Sequence, residues 1–154
     1  MEESRYPRDA RLMSQIRPQP TVISGKLQAI QSIASDWPEF ADPDTFDTYF
    51  SNPVACGNGD LFYHGLMFAS WMRPEPAARE RLIRGELPEP SDWNNSGSVL
   101  WLVTLCGQPG IPALEAVREV ISGLILRDVL QDGEKVFYSR HHGERFGWLV
   151  ARER

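Results

Sequence analysis

Residues 99–125 constrain the fold most, because two strongly patterned runs flank a short loop rich in glycine and proline. Residues 99–106 are almost wholly apolar, as expected of a strand that is buried on both faces. Residues 113–125 place their large apolar side chains on one helical face, namely Leu114, Val117, Ile121, Leu124 and Ile125. A strand, a tight loop and a helix in this order favour a fold in which helices pack on a sheet.

The first part of the chain is predicted to be mainly helical. Residues 1–20 are polar and carry too little apolar surface to fold alone, so they are expected to form a flexible arm. Apolar residues at helical spacing predict a helix over 21–35. Asp42 is predicted to cap a second helix with Pro43 at its first position, and Asn52 and Pro53 are predicted to end that helix.

Strands dominate the prediction for the rest of the chain. The aromatic-rich, nearly uncharged residues 61–72 predict a central strand or one arm of a hairpin, and residues 73–85 predict a helix. Residues 135–140 and 145–152 predict two strands that a turn connects. Together these elements predict one α/β (α+β) domain over residues 21–154, with a mixed, mainly antiparallel central sheet flanked by helices.

Composition and charge exclude several classes of function. The chain has 154 residues, 42% of them hydrophobic, which is typical of a folded domain. Its net charge is −5, and no run of Lys and Arg resembles a nucleic-acid site. Without basic neighbours, Trp71, Trp93 and Trp101 are predicted to be core and hydrogen-bonded corner residues rather than a stacking platform. Neither a membrane span nor the apolar core of a signal peptide is present, so a cytoplasmic location is expected.

The spacing of cysteine and histidine residues argues against a metal site and a disulfide framework. Cys56 and Cys106 form no CxxC motif and are predicted to be free thiols, and no histidine pair has HxxxH or HExxH spacing. His64 is predicted to lie within a strand, either as a buried side chain bonded to the backbone or as a general base. His141 and His142 are predicted to lie in a solvated turn.

The loop between the strand and the helix is a candidate ligand site. Backbone N–H groups in such a loop, together with the positive end of the helix dipole, favour phosphates and pantetheine-linked groups. Gly107, Gln108 and Gly110 would hold that group, although the loop prolines remove two donors and a plain turn stays open as the alternative. Cys106 borders the loop, either as a thiol whose pKa the helix lowers or as a buried, inert side chain.

Four short motifs within residues 61–110 stand in the order found in one bacterial enzyme family. They are Gly65, Ala69, Ser70 and Trp71; Asp92 and Trp93 with Ser96 and Gly97; Trp101, Leu102 and Val103; and Pro109 with Gly110. They resemble the motifs of the toxin-activating lysine acyltransferases, which move a fatty acyl group from acyl carrier protein to lysines of RTX toxins. The resemblance implies a GNAT-like acyltransferase fold with a protein lysine as the acceptor.

Two positions depart from the pattern of that family. Residues 35–38 contain no histidine where the family has a catalytic one, and Thr104 replaces the family's aspartate. A retained acyltransferase would therefore use His64 as the base, with Thr104 and Cys106 nearby, and would hold an acyl-pantetheine donor in the loop. No resident cofactor is expected beyond that donor group.

Two further functions stay open. A catalytically inactive relative would keep the acyltransferase fold as a binding surface, for example as an inhibitor or adaptor encoded by a phage or plasmid. An assembly component would order its N-terminal arm on contact with neighbouring proteins. The partners considered are a protein substrate or binding protein, acyl carrier protein and a second copy in a homodimer, whereas nucleic acid and a membrane span are not expected.

Overall fold

The computed structural model describes residues 20–140 and 145–152. The predicted arm lies outside the described residues except for Pro20, and so does the turn with His141 and His142. The described residues form one mixed five-stranded sheet with helices packed against it. The predicted α+β fold, with a mainly antiparallel sheet, is confirmed.

The N-terminal helices begin close to where the sequence predicts them. Helix α1 spans Pro20–Ala34, a 3-10 turn spans Pro38–Ala41, and helix α2 spans Pro43–Phe46. The predicted cap of α2 is confirmed, because the Asp42 carboxylate accepts a hydrogen bond from the Thr45 N–H at 2.9 Å.

The prediction that Pro53 ends this helical stretch is wrong. A π-helical turn, Asp47–Ser51, follows α2 and leads into helix α3, Asn52–Ala55, which contains the proline. Proline has no N–H, so in an α-helix the carbonyl four residues earlier loses its partner. That carbonyl belongs to Tyr49, and it accepts a hydrogen bond from the Thr104 hydroxyl at 3.3 Å. The irregular helix is thereby joined to the sheet.

Residues 61–72 form most of a hairpin rather than one strand. Strand β1 is Gly59–Phe62 and strand β2 is Met67–Met72, with a tight turn between them. Tyr63, His64 and Gly65 all have φ between 56° and 80°, the left-handed region that makes such a turn. The predicted placement of His64 within a strand is therefore wrong, and residues 61–72 contribute to both arms of a hairpin rather than forming the single arm that was predicted.

The remaining elements complete the sheet. They are α4 (Pro76–Ile83), a 3-10 turn (Pro90–Asp92), β3 (Leu100–Gly107), α5 (Ala113–Leu126), β4 (Lys135–Arg140) and β5 (Arg145–Val150). The strand order is β1-β2-β3-β4-β5, and only β3 and β4, which α5 connects, run parallel. None of the helices in the described ranges combines the length and apolar character that crossing a membrane requires.

Side chains alternate along the strands and build cores on both faces of the sheet. Ala69 and Trp71 contribute to the core beneath α5, whereas Phe68 contributes to the core beneath α1 and the π-helical turn. A third cluster beneath α4 contains Trp93 and Trp101. Trp71, Trp93 and Trp101 are at most 6% exposed, so their predicted burial is confirmed. The predicted hydrogen bonding is not found for Trp93, whose indole N–H has no partner among the described residues.

Strands β3 and β4 are paired at one end only. The paired positions are Leu100 with Val136, Trp101 with Phe137, and Leu102 with Tyr138. Beyond Leu102, β3 continues to Gly107 with only β2 as its partner within the described residues. Ser70 pairs with Thr104 and Trp71 with Leu102, so Val103 is an extra residue that forms a β-bulge where the two strands part.

A single arginine, Arg73, connects β3 and β4 at the end where they are paired, which we call the closed end. The Arg73 guanidinium, at the end of β2, donates to the Ser98 and Val129 carbonyls at 2.7 Å each. It also forms a two-point contact with the Glu134 carboxylate, with a closest distance of 2.6 Å. Because Ser98 precedes β3 and Glu134 precedes β4, Arg73 fixes both strands where they enter the sheet.

Candidate functional site

A cavity of about 820 Å³ lies where β3 and β4 part. Its wall includes β3 from Trp101 to Cys106, together with Tyr138 of β4 and Leu149 of β5. Other lining residues come from elements on both sides of the sheet, namely Trp37, Phe40, Tyr49, Leu82, Leu87, Leu114 and Val117. The gap between the strands therefore lets one cavity extend through the plane of the sheet.

Exposed apolar side chains are concentrated around this cavity. Seven large hydrophobic residues of the described chain are exposed, and four of them line the cavity: Trp37, Leu87, Leu105 and Leu114. Leu114 was predicted to share the apolar face of α5, but it is 62% exposed at the start of that helix. Exposed apolar surface that borders a concave site is typical of ligand binding.

Thr104 lines the cavity, but its hydroxyl is already engaged. The side chain is 6% exposed, and its hydroxyl donates to the Tyr49 carbonyl at 3.3 Å. Thr104 therefore positions the π-helical turn against β3. As a neutral group, its hydroxyl cannot orient an imidazole as a carboxylate does.

Cys106 also lines the cavity, and its surroundings disfavour the thiolate. Burial, with a smaller contribution from the negative charge of Glu39, raises the pKa of the Cys106 thiol to about 12. About one thiol in 10⁵ is then ionised at pH 7. The pKa of Cys106 is thus raised, whereas activation by the helix N-terminus would lower it. This agrees with the alternative prediction of a buried, inert thiol. Both cysteines are thiols that form no disulfide within the described residues, as predicted.

Among the ionisable residues of the cavity wall that the sequence did not identify as site residues are Glu39 and Tyr49. Glu39 is exposed and makes no ion pair or hydrogen bond through its carboxylate with any described residue. Tyr49 is half-buried, and burial raises the pKa of its phenol. Glu39 lies in a short stretch rich in acidic residues, and that charge pattern is the signal that could have identified it.

His64 lies away from the cavity wall. It is exposed in the turn between β1 and β2, beside the ring of Tyr63 at 5.9 Å, and is not a lining residue. The turn nevertheless contacts the loop after β3, because Leu66 accepts a hydrogen bond from the Gln108 N–H at 3.0 Å. The structure thus brings Thr104 and Cys106 together in the cavity and leaves His64 at one end of the hairpin.

The predicted donor loop is tied into the fold and does not line the cavity. The Gly107 carbonyl accepts a hydrogen bond from the Trp37 indole N–H at 3.4 Å, and the Gln108 N–H donates to the Leu66 carbonyl at 3.0 Å. None of the three predicted donor-loop residues lines the cavity. A Cβ atom on Gly107 would lie 3.0 Å from the Met67 side chain and 3.1 Å from the Leu66 carbonyl oxygen, so a larger residue would have to displace these neighbours. Gly110 has φ of 98° and open space around it, as a plain turn residue would. A role of these residues in holding a donor stays a prediction.

The motif residues outside the cavity have structural contacts. Asp92 is 4% exposed and bonds to the Arg81 guanidinium and to the Glu89 N–H. A Cβ atom on Gly97 would lie 1.8 Å from the Pro74 carbonyl oxygen, so only glycine fits there. No group of three or more His, Cys, Asp or Glu residues within the described ranges is placed to hold a metal ion.

Comparison of the chain with protein-family models, with curated proteins and with solved structures gives no match. The geometry of the cavity is therefore the basis for assigning a function.

Proposed function

We propose that the protein binds a fatty acyl group, presented on the pantetheine arm of acyl carrier protein, in the cavity between β3 and β4. The observation that carries the proposal is the mainly apolar cavity along an unpaired strand edge. Its volume of about 820 Å³ is within the range of roughly 300–1,000 Å³ found for ligand pockets. The resemblance to the toxin-activating lysine acyltransferases supports the same class of ligand.

The open edge of β3 suits the amide groups of a pantetheine arm. Beyond Leu102 the edge of β3 that faces away from β2 has no strand partner among the described residues. Such an edge offers backbone N–H and C=O groups in the spacing that an extended, amide-containing chain can use. Val103, the extra residue of the β-bulge, is not part of the regular β-ladder, and it also lines the cavity.

The test is a chain-length series of acyl carrier proteins that carry acyl groups of six to fourteen carbons, with binding to the full-length protein measured by calorimetry. Burial of each methylene contributes about 0.8 kcal/mol, so affinity should rise about fourfold per methylene until the cavity is full. Leu105→Ala should weaken binding at least several-fold. Leu126→Ala is the matched control, because Leu126 is 81% exposed and does not line the cavity.

Equal affinity for carrier protein with and without the acyl group would reject the proposal. So would equal effects of the Leu105→Ala and Leu126→Ala substitutions. With a lysine-containing acceptor peptide added, binding without loss of the acyl donor would favour the inactive, acyltransferase-like binding protein, whereas transfer of the acyl group to the peptide lysine would indicate catalysis.

A second candidate function is transfer of the acyl group to a protein lysine, and the position of Glu39 favours it. In this reaction the lysine amine attacks the thioester carbonyl, a C–N bond forms, the C–S bond breaks and the carrier thiol leaves. Glu39 lines the cavity, forms no ion pair with any described residue, and would accept the proton that the amine loses. Glu39→Gln should reduce the transfer rate by roughly 10²-fold or more while acyl binding persists, and an unchanged rate would reject this role.

A further inference from the structure

Residues 36–47, which we call the acidic segment, carry a concentrated negative charge. The segment contains five acidic residues and no basic one, namely Asp36, Glu39, Asp42, Asp44 and Asp47. Its charge of −5 equals the net charge of the whole chain, since the other 16 acidic residues balance the 16 Lys and Arg residues. The charge imbalance of the protein is therefore localised in one short stretch.

The fold places this acidic segment along one mouth of the cavity. Trp37, Glu39 and Thr45 all line the cavity. The Trp37 indole also donates to the Gly107 carbonyl, which connects the segment to the end of β3. Trp37 is 38% exposed, so the mouth presents an aromatic surface beside the carboxylates.

Most carboxylates of the segment are available to a partner. Asp36, Glu39 and Asp44 are exposed and form no ion pair with any residue in the described ranges. Asp42 caps helix α2, and its hydrogen bonds with Thr45 lower the pKa of its carboxyl, which keeps it charged. The mouth is thus apolar at the cavity and negative along its border.

We propose that a basic polypeptide segment of a partner protein, with lysine or arginine beside an apolar residue, docks along the acidic segment at this mouth. The carboxylates are spread over a 3-10 turn and helix α2, a length of about 15 Å, which one small cation cannot span. Opposite charge would orient the partner, and its apolar residue would contact Trp37. The inference rests on the proposed function in that it assigns a partner to the same cavity.

The first test measures binding of a fluorescein-labelled twelve-residue peptide of alternating lysine and leucine to the full-length protein. We expect the dissociation constant to rise at least tenfold between 50 and 300 mM salt, because exposed charges are screened. A matched peptide with glutamate in place of lysine should not bind. Equal binding of the two peptides, or binding that does not change with salt, would overturn the proposal.

A charge-neutralised variant locates the surface. The triple substitution Asp36→Asn, Glu39→Gln and Asp44→Asn should weaken binding of the basic peptide at least tenfold. The control carries Glu75→Gln, Glu80→Gln and Asp128→Asn, which remove the same charge from exposed positions that do not line the cavity. An equal loss of peptide affinity in both variants would mean that the peptide is attracted only by the net charge of the protein, and it would overturn the proposal.

The chain's own N-terminal segment is the competing occupant, since it contains Arg5, Arg8, Arg11 and Arg17. Replacing these four arginines with glutamine in the full-length protein should leave peptide binding within twofold. A gain of tenfold or more would show that the protein covers its own acidic segment and would overturn the assignment to a separate partner. Acyl binding is measured on the same proteins, so failure of the wild-type protein to bind the basic peptide while it still binds the acyl group rejects only this inference.

Discussion

The two halves of strand β3 have similar apolar sequences but different surroundings. Leu100, Trp101 and Leu102 lie between β2 and β4 and are at most 5% exposed. From residue 103 to residue 107 the strand pairs with β2 alone among the described strands, and Leu105 is 37% exposed. The same kind of side chain therefore supplies core in one half and a cavity wall in the other.

The cavity lies where β3 and β4 are no longer paired with each other. Arg73 holds the segments that enter β3 and β4, whereas the bulge at Val103 and the cavity lie where the strands part. Motif residues such as Asp92 and Gly97 serve packing and backbone contacts outside the cavity. The cavity itself is built mainly from residues that match no catalytic motif.

The largest expected effect comes from shortening a side chain in the closed half of β3. Leu100 is fully buried, so Leu100→Ala should lower the free energy of unfolding by about 2–5 kcal/mol. Leu105→Ala, the matched change in the open half, should cost less than about 1.5 kcal/mol. Urea denaturation of the two variants tests the difference, and equal losses would contradict the division of the strand into two halves.

Removing the arginine at the closed end should give the next largest effect. Arg73→Ala leaves two carbonyls and one carboxylate without their charged donor, which should cost about 2–3 kcal/mol at pH 7. Arg73 holds the pKa of the Glu134 carboxyl below its usual value of 4.5. The Glu134 carboxyl therefore binds a proton more readily in the unfolded chain than in the folded protein. The stability that the Arg73–Glu134 contact contributes is present above pH 4.5 and is lost as the pH falls through the pKa of Glu134 in the folded state.

Denaturation of the wild type and of Arg73→Ala at pH 7 and at pH 3 provides the measurement. The stability difference between the two proteins should narrow at pH 3. A constant difference would mean that the arginine acts through its carbonyl contacts alone.

The thiol in the open half should react slowly and with a steep dependence on pH. Because the pKa of Cys106 is about 12, its alkylation by iodoacetamide should accelerate about tenfold per pH unit between pH 7 and 10. Glu39→Gln should increase the rate modestly, since Glu39 is the smaller cause of the raised pKa. Mass spectrometry, with Cys106→Ser as the control, separates alkylation of Cys106 from alkylation of Cys56. An alkylation rate of Cys106 that does not depend on pH would contradict the raised pKa of this thiol.

The smallest expected effect lies in the β1–β2 turn, outside both halves of β3. His64 has φ of 58°, a conformation that glycine adopts without the steric cost of about 1 kcal/mol. His64→Gly should therefore raise stability by up to about 1 kcal/mol and leave acyl binding unchanged. Thermal denaturation and the binding assay above test this, and a loss of acyl transfer on substitution would restore His64 as a candidate base.

Local patterns predicted the elements of the fold better than the site. The helix over 113–125, the buried strand before it and the Asp42 cap follow from periodicity and capping chemistry, and all three are present. The hairpin turn at Tyr63 and His64 was harder to recognise, because neither residue favours the left-handed region. The π-helical turn depends on a hydrogen bond from Thr104, 55 positions from its acceptor, which no local pattern encodes.

The sequence by itself determined the α+β class, the limits of most helices and strands, the burial of the tryptophans and the absence of a disulfide framework. These properties depend on the spacing and chemistry of neighbouring residues. Only the tertiary structure decided that β3 and β4 part after Leu102, that Cys106 is shielded from ionisation, and that the acidic segment borders the resulting cavity. Those outcomes depend on contacts between residues far apart in the chain, and such contacts set both solvent exposure and electrostatic environment.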